Sequence, residues 1–477
     1  MLAARIEHTN DWRGGYLAPI RDIVAAGATS HQAGLAIARS GLASIHQRFR
    51  FRTQDADLSI ADAMAGVGQP ALGSVEIVGR QALQSTLSLP YQGRRLFDRD
   101  LVAVVDDWVA RGIAEPGLAP VIDAVMAESE LLDLRGVHVA VLGAGAQMGP
   151  TRSLLRWGAT VHAVDLPDPS TWQQLIAIAR STAGTLRIPI APDSGRAPIV
   201  TSRFGDATPA GLVHPDDDAA VAEAAGVNLL ADAPRIVPWL MECSQPLVIG
   251  SYAYAEGATH ALLAVASDAI ATSISSQRPD VTLAYLATPT DVFVAPEAAV
   301  ADSRRRWHRR GLAGLAQTPL RMAGQFRPNY PASSEIGNGA ALVDALVPQQ
   351  GPNYALAKRM HRWRSQVAAA DGQRVSINLA PATRTRSVVA NRLLAAAYAG
   401  ADRFGVEVFE PSTSTTLMAA MLAYDLQRPR TGTTGTSRPG QEAFTEVAVH
   451  GGLWRTAYAP RSVLGIAALL GVLESRP

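Results

Sequence analysis

"VHVAVLGAGAQMG", residues 137–149, is the stretch that constrains the fold most. Its first half is a nearly continuous apolar run of strand length, and its second half is a glycine-rich turn. A helical segment, "QMGPTRSLLRWG", and a second apolar run, "TVHAVDLP", follow directly. Because a strand, a turn, a helix and another strand come in this order, the sequence predicts a β-α-β unit that opens a parallel sheet.

Further apolar runs of strand length follow, with alanine-rich helical stretches between several of them. These runs are "APIVTSRF", "QPLVIGSYAY", "VTLAYLA" and "RVSINLAP". Such alternation is typical of a parallel sheet whose two faces are covered by helices. We therefore predict an α/β fold with a doubly wound parallel Rossmann-type sheet. Residues 1–135 mix helical patches with short extended pieces, which predicts an added helix-rich N-terminal domain.

The composition favours a globular protein that works through a pocket. Of 477 residues, 48% are hydrophobic and 18% are charged, and this length indicates two or three domains. The formal net charge of +1 gives no electrostatic reason to expect nucleic acid or an acidic membrane surface as a partner. We expect a small-molecule substrate instead.

The cysteine and histidine pattern argues against disulfides and metals. Cys243 is the only cysteine, and the ten histidines show no metal-ligand spacing, so we predict no metal site. The charged N-terminus lacks the apolar run of a signal peptide, and the apolar stretch "SVLGIAALLGVL" is too short to span a bilayer. These features predict a soluble cytoplasmic protein with no membrane contact.

The turn after the first strand is a candidate cofactor site. It contains Gly143, Gly145, Gln147, Met148 and Gly149. Glycine permits positive φ and lets backbone amides approach a phosphate, which then lies at the positive end of the next helix. We predict that these residues bind the pyrophosphate of a dinucleotide, although Met148 occupies the third glycine position of G-x-G-x-x-G.

Asp165 ends the second strand, where a carboxylate accepts hydrogen bonds from the adenosine ribose and repels the 2′-phosphate of NADP. The pattern therefore favours NAD over NADP. Two alternatives remain open. Rossmann-like methyltransferases that bind S-adenosylmethionine share the glycines and the acidic residue, although apolar Leu142 stands where they usually carry another acidic residue. The turn also suits a parallel-sheet protein that binds no nucleotide. For the chain as a whole, a further alternative is a non-catalytic Rossmann module that binds a nucleotide or a partner, and Gln147 in the turn favours it.

The motif "NYALAK" places Tyr354 and Lys358 one turn apart on one helix face. Lys358 is the only lysine in the chain. A neighbouring cation favours the phenolate and lowers the pKa of a tyrosine, which makes it a better acid–base catalyst at neutral pH. We predict that Tyr354 and Lys358 are catalytic and that Lys358 also contacts a ribose hydroxyl. The alternative is a surface helix with a solvated lysine.

The YxxxK helix leads into the strand "RVSINLAP" and a proline loop with threonines. This order resembles the short-chain dehydrogenase/reductase superfamily, in which the YxxxK helix leads to a strand and an NxxxPG-like loop. The turn "LGAGAQMG" is similar to the family's TGxxxGxG turn, with Gly143 and Gly149 in the first and third glycine positions and Gln147 in the second. The segment "VAVHGGLWR" is similar to the family's VDGG segment, so the resemblance covers roughly 137–455.

The resemblance implies an oxidoreductase that uses NAD(H) or NADP(H) and acts on a small to medium apolar carbonyl, alcohol or enone. Tyr354 would exchange a proton with the substrate, and Lys358 would hold the ribose and lower the pKa of the tyrosine. The family's substrate-polarising serine has no clear counterpart. Thr288 and Thr290 follow a candidate strand, and by topology we choose Thr288. Ser333 and Ser334 are the alternatives, because they lie nearer Tyr354 in sequence.

The resemblance also divides the chain. The interval between the glycine turn and the YxxxK motif exceeds the family's usual span, which implies insertions near 185–240 and 295–345. The predicted units are the N-terminal domain of 1–135, a Rossmann-type catalytic domain of 136–430, and a C-terminal strand and helix in 431–477 that complete it. The last strand is predicted at "EVAVHGG".

Other segments have weaker functional interpretations. The basic cluster "SRRRWHRR", 303–310, could clamp an anionic substrate but suits a solvated or intersubunit helix face better, and we expect a homo-oligomer. Tyr252, Tyr254 and His260 either line the pocket or cap a sheet edge. "EPSTSTTLMAAML", 410–422, either covers the substrate or begins an apolar helix with an N-cap.

Overall fold

The fold is known from a computed structural model that describes residues 12–53, 56–65, 70–191, 216–311, 314, 317–337, 340–428 and 439–474. It is a mixed α/β architecture with a seven-stranded, mostly parallel central sheet flanked by helices. The coarse α/β prediction is therefore confirmed. One predicted strand, "APIVTSRF", lies outside the described residues.

The strands of the described residues are numbered in chain order. They are β1 (Arg50–Arg52), β2 (Asp57–Ser59), β3 (Gly73–Val78), β4 (Leu89–Tyr91), β5 (Arg94–Leu96), β6 (His138–Leu142), β7 (Thr160–Val164), β8 (Thr185–Ile190), β9 (Leu247–Ser251), β10 (Thr282–Ala287), β11 (Val292–Ala295), β12 (Glu335–Gly337), β13 (Ala340–Asp344) and β14 (Arg374–Leu379).

The α-helices are numbered in the same way. They are α1 (Trp12–Gly15), α2 (Leu17–Gly27), α3 (His31–Arg48), α4 (Ile60–Met64), α5 (Asp98–Arg111), α6 (Leu118–Ala127), α7 (Thr151–Arg156), α8 (Pro169–Arg180), α9 (Asp218–Ala224), α10 (Ala233–Met241), α11 (Ala258–Ser275), α12 (Glu297–His308), α13 (Thr318–Met322), α14 (Gly351–Ala370), α15 (Arg386–Ala390), α16 (Arg392–Ala399), α17 (Pro411–Gln427) and α18 (Pro460–Glu474).

The central sheet has the spatial order β14-β10-β9-β6-β7-β8-β3, and only β3 runs antiparallel to its neighbour. Its six parallel strands follow the order 6-5-4-1-2-3, counted along the chain, which is the order of Rossmann-like sheets. The strand order reverses at β6, whose neighbours are β7 and β9. Open α/β sheets bind ligands at this kind of switch point, outside the carboxyl ends of the strands.

The strands predicted from continuous apolar runs form the centre of the sheet. Every residue of β9 and β10 is buried, and four of the five residues of β6 are. Burial on both faces explains why these strands show no alternation of apolar and polar residues. The runs "QPLVIGSYAY", "VTLAYLA" and "RVSINLAP" contain β9, β10 and β14, as predicted.

The segment predicted as an added N-terminal domain shares the sheet and core of the rest of the chain. Its strand β3 pairs with β8, with Val75 opposite Ile188, and its alternating burial places Val75 and Ile77 inside. Trp108 of α5 belongs to the same continuous apolar core as Val139 of β6. The segment is rich in helices, as predicted, but the boundary at residue 135 does not separate two cores.

The predicted last strand, "EVAVHGG", is absent from the described part of residues 431–477. Within this segment the chain forms a 3-10 turn over Thr445–Val447, and of residues 446–452 only Val449 makes an isolated bridge, with Ala114. Gly451 and Gly452 take φ values of 66° and 97°, which break an extended conformation. The predicted final helix is present as α18. In the described ranges, no helix combines the length and apolarity that a membrane crossing requires.

We expect Gly143→Ala to lower the free energy of unfolding by about 3 kcal/mol. Gly143 has a φ of 90°, and an added Cβ would lie 2.5 Å from the backbone nitrogen of Ala253 in the loop after β9. Gly136→Ala is the matched control, because its φ is 79° but no atom lies within 4 Å of an added Cβ, so about 1 kcal/mol is expected. Urea unfolding measures the free energy of unfolding of both variants. Equal losses in the two would show that the short distance between residue 143 and Ala253 has no effect on stability.

Candidate functional site

A cavity of about 1190 Å³ lies at the carboxyl edge of the central sheet. Its wall comes from the loops that follow β6, β9, β10 and β14, and from the helices α14, α16 and α18. This location coincides with the switch point between β6 and β9, where sheets of this kind bind ligands. The cavity is therefore the candidate functional site.

Tyr354 and Lys358 both line this cavity from one face of α14, as their spacing predicts. Both side chains are half-buried. The Lys358 ammonium donates a hydrogen bond to the carbonyl of Leu286 at the end of β10 at 3.1 Å. Its nitrogen lies 5.8 Å from the centre of the Tyr354 ring. The alternative of a surface helix with a solvated lysine does not describe this arrangement.

Buried charges on α14 fix how the helix presents these two side chains. Arg359 binds Asp291, and Arg362 donates to Asp291 at 2.6 Å and also binds Glu442. Asp291 belongs to the same loop as Thr288, so these ion pairs connect α14 to the loop after β10. Breaking a buried pair of this kind typically costs 3–5 kcal/mol. The network therefore holds Thr288 and Tyr354 in one arrangement.

Thr288 also lines the cavity, which agrees with its choice by topology. Its hydroxyl lies 3.1 Å from that of Thr290, and its side chain hydrogen-bonds the Tyr354 phenol. The alternatives, Ser333 and Ser334, are not among the described residues that form the cavity wall. The fold thus brings together the three residues that the sequence predicts as catalytic.

His260, at the start of α11, is a further polar residue in the cavity wall. Its ring stacks on Tyr354 with centroids 5.2 Å apart, and Tyr254 packs against both rings. His260 is buried, and neither ring nitrogen has a hydrogen-bond partner among the residues that the structure describes. A buried imidazole without a partner is costly, which marks His260 as a group that can bind a ligand. Tyr252 lines the cavity too. Tyr252, Tyr254 and His260 thus line the pocket, which is the first of the two predictions made for them.

Burial dominates the protonation of the site. It raises the pKa of Tyr354 above its ordinary value, and the hydrogen bond from Thr288 offsets this only in part. Burial lowers the pKa of Lys358 to about 8 and that of His260 to about 3. The expected lowering of the Tyr354 pKa by Lys358 is therefore not what the structure shows. At neutral pH the phenol is protonated, the ammonium is mostly charged and the imidazole is neutral.

The glycine turn has its predicted shape, but its amides are used within the protein. The Gly143 N–H donates to the carbonyl of Val164 at 2.8 Å, and the Gly145 N–H donates to the carboxylate of Asp165 at 2.7 Å. The Gly149 N–H donates to a carbonyl of the same turn. These three amides are therefore not free to bind a pyrophosphate, and the helix that follows, α7, is only six residues long.

Asp165 has a structural role in the turn. Its carboxylate accepts the N–H groups of Gly145 and Leu166, which lower its pKa, although burial outweighs them and raises it. Its backbone carbonyl accepts the N–H of Val227. An added Cβ on Gly145 would lie 2.7 Å from the methyl group of Thr171. The space over the end of β7 is thus filled by protein groups.

The cavity fits one half of a dinucleotide better than the other. Of the predicted cofactor residues, Gln147, Met148 and Lys358 line it, whereas the turn glycines and Asp165 are not in its described wall. Gln147 accepts a hydrogen bond from the Arg386 N–H at 2.9 Å, which joins the turn to α15. The Tyr354 end suits a nicotinamide ribose. The described residues over β7 do not offer the predicted adenosine site.

One part of the cavity, lined by α16 and α18, corresponds to none of the motifs predicted from the sequence. These helices pack so closely that an added Cβ on Gly400 would lie 2.9 Å from the nitrogen of Gly471. Leu394 and Leu464 face the cavity from this side, together with Tyr398. The signal available in the sequence was the apolar run "RLLAAAYAG", but nothing in it shows which helix it packs against. The cavity therefore has an apolar arm beside its polar end.

Two segments with functional interpretations lie elsewhere. In the cluster 303–310, Arg304 pairs with Glu335, and Arg310 stacks on Trp307. The cluster is not part of the described cavity wall. Residues 410–422 form most of α17, a largely buried helix rather than a cover for substrate. Neither segment contributes to the described wall of the cavity.

Comparisons with known proteins give no family assignment. No protein-family model matches the chain, and no similar sequence is found among curated proteins. The resemblance to the short-chain dehydrogenase/reductase superfamily therefore stays a prediction, and the cavity itself is the basis for inferring function.

Proposed function

We propose that the protein is an NAD(H)-dependent oxidoreductase of short-chain dehydrogenase/reductase type, acting on a small to medium apolar carbonyl, alcohol or enone. The observation that carries the proposal is the convergence of Tyr354, Lys358 and Thr288 in one cavity at the switch point of the sheet. The spacing of Tyr354 and Lys358 also occurs by chance, but a chance match would not be expected to face this cavity together with Thr288.

The protonation of the site favours the reductive direction. At neutral pH the phenol carries the proton that the oxygen of a carbonyl substrate would receive, and its raised pKa makes it a weaker acid than an ordinary tyrosine. Thr288 would donate a second hydrogen bond to that oxygen. His260, neutral and stacked on Tyr354, would accept or donate a hydrogen bond to the substrate. The reduced product would leave as an alcohol.

Lys358, Gln147 and Met148 would hold the nicotinamide end of the cofactor, which supplies or accepts the hydride when it is bound. The Lys358 ammonium has an apolar and neutral surrounding, as its lowered pKa indicates. Its charge would favour an oxygen that becomes negative beside it. The apolar arm between α16 and α18 supports an apolar substrate body, because such a surface does not solvate charges.

Calorimetric titration of the full chain tests the proposal. We expect NADH to bind and S-adenosylhomocysteine not to bind. Because the Asp165 carboxylate accepts two N–H groups of its own turn, it should not discriminate between NADH and NADPH. Met148→Trp should block NADH by filling the cavity beside the turn. The matched control is Met322→Trp, because Met322 is 87% exposed, and it should bind as the wild type does. Binding of S-adenosylhomocysteine but not NADH would favour the methyltransferase alternative.

The Gly145 N–H and the Asp165 carboxylate bind each other instead of a cofactor, which favours a second candidate function that needs no dinucleotide. The uncharged fraction of Lys358, whose pKa burial lowers to about 8, could take a proton from the carbon next to a carbonyl without any dinucleotide, while Tyr354 donates a hydrogen bond to the carbonyl oxygen. In that case NADH would not bind, and the protein would catalyse deuterium exchange at the α-carbon of cyclohexanone, measured by NMR. Loss of this exchange in Tyr354→Phe would assign it to the cavity.

A further inference from the structure

Three potential metal ligands converge at the amino edge of the central sheet, at the opposite end of the strands from the cavity. They are His138, His162 and Cys243, and their ligand atoms all lie within 4.8 Å of one another. Nδ1 of His138 lies 3.1 Å from Nε2 of His162. His162 and Cys243 are buried, and His138 is half-buried.

Sheet register explains this convergence. His138 begins β6, and its partner on β7 is Thr160, so His162, two residues further on, points to the same face. On the other side of β6, Leu247 of β9 lies opposite His138, and Cys243 precedes that strand. Distant stretches of the chain supply the three residues, which is why no ligand spacing is visible in the sequence.

The chemistry of the set suits a borderline-soft divalent ion. Zn²⁺ binds imidazole nitrogen at about 2.0–2.1 Å and thiolate sulfur at about 2.3 Å, usually in a tetrahedral site. Tetrahedral geometry places such ligand atoms about 3.3–3.7 Å apart, so the widest separation in the cluster, 4.8 Å at most, has to shorten by up to about 1.5 Å. Mg²⁺ and Ca²⁺ prefer oxygen ligands, which this set lacks.

The charges around the cluster allow a cation. The nearby Arg187 guanidinium opposes a cation, but Arg187 is itself bound to the carboxylate of Glu242. Metal binding would release the Cys243 thiol proton to solvent, and the thiolate would offset one positive charge.

We propose that His138, His162 and Cys243 form a binding site for Zn²⁺ or a similar transition-metal ion, with the fourth position open to water. The site is independent of the oxidoreductase proposal, because it lies at the other edge of the sheet. Its effect would be to join β6, β7 and the segment before β9, and so to stabilise the sheet.

Cobalt titration of the metal-free, full-length protein tests this site. We expect one equivalent of Co²⁺ to give a thiolate-to-metal charge-transfer band and the visible bands of tetrahedral cobalt. Cys243→Ser should abolish the charge-transfer band and weaken binding at least 10-fold. His308→Gln is the matched control, because His308 is exposed and outside the cluster, and it should bind as the wild type does.

Thermal unfolding with added metal ions is a second test of the site. Zn²⁺, but not Mg²⁺, should raise the melting temperature of the wild type and should not raise that of Cys243→Ser or His162→Gln. The proposal is overturned if no charge-transfer band forms, or if Zn²⁺ stabilises Cys243→Ser as much as the wild type. In either case the pair of histidines is only a buried hydrogen bond.

Discussion

Tyr354→Phe is expected to reduce carbonyl reduction by about 10²–10⁴-fold while NADH affinity stays within about threefold of the wild type. The substitution removes the proton donor and leaves the ring, so the stacking on His260 at 5.2 Å should remain. Since only the phenolic hydroxyl is lost, the substitution should lower kcat and leave cofactor binding unchanged. Oxidation of NADH with benzaldehyde, cyclohexanone and 2-cyclohexenone would be followed by absorbance.

The cavity offers two matched controls for this variant. Tyr254 and Tyr398 also line it, so Tyr254→Phe and Tyr398→Phe remove a phenol hydroxyl from the same site without removing the proposed donor. Both should keep most of the activity. A wild-type rate in Tyr354→Phe, or an equal loss in all three variants, would show that Tyr354 is not the proton donor.

The pH dependence separates Tyr354 from the other groups. Because burial raises the pKa of Tyr354, the phenol should stay protonated over the whole range in which the protein is folded. Loss of the Lys358 charge above its pKa of about 8 should therefore set the alkaline limit of kcat/KM. An alkaline limit that is unchanged when Lys358 is replaced would point to another group.

The central sheet could be predicted because its strands are buried on both faces. Such strands are continuous apolar runs, and "VHVAVLG" and "VTLAYLA" are visible without knowledge of their neighbours. The edge strand β3 has a weaker signal, because its burial alternates, and its pairing with β8 could not be predicted, because the two strands lie far apart in sequence. The segment 446–452 was wrongly predicted as a strand for a different reason. Its apolar residues pack inside, but Gly451 and Gly452 turn the chain.

The candidate site could be predicted where the chemistry depends on local spacing. Tyr354 and Lys358 share a helix face by geometry alone, but the direction of that face depends on Arg359 and Arg362 reaching Asp291. The role of Asp165 could not be read from its position, because the same carboxylate can bind a ribose or an amide of its own turn. Which partner it has depends on the shape of the turn at Gly145.

Lys358→Met is expected to stabilise the protein and to reduce its activity. Burial lowers the pKa of Lys358 from 10.5 to about 8, so folding opposes the charged form of this side chain. A shift of this size corresponds to about 3 kcal/mol at most, and water in the cavity reduces the cost to about 2 kcal/mol. A methionine of similar length carries no charge and should recover this amount.

The sign of the pH dependence follows from the two pKa values. Below pH 8 the lysine is charged in both the folded and the unfolded protein, and the full cost of burying it is present. Between pH 8 and 10.5 the unfolded state binds more protons, so the wild type gains stability as the pH rises. The advantage of Lys358→Met should therefore be largest below pH 8 and should disappear towards pH 10.5, as measured by urea unfolding.

The activity of the same variant decides what the lysine is for. If Lys358 holds the cofactor and favours a developing negative charge, Lys358→Met should weaken NADH binding and reduce kcat/KM by at least about 10²-fold. Lys358→Arg keeps a cation and should retain part of the NADH affinity and part of kcat/KM. A Lys358→Met protein that is less stable than the wild type at pH 7 and equally active would contradict this role. The hydrogen bond to the Leu286 carbonyl would then explain the lysine as a structural residue.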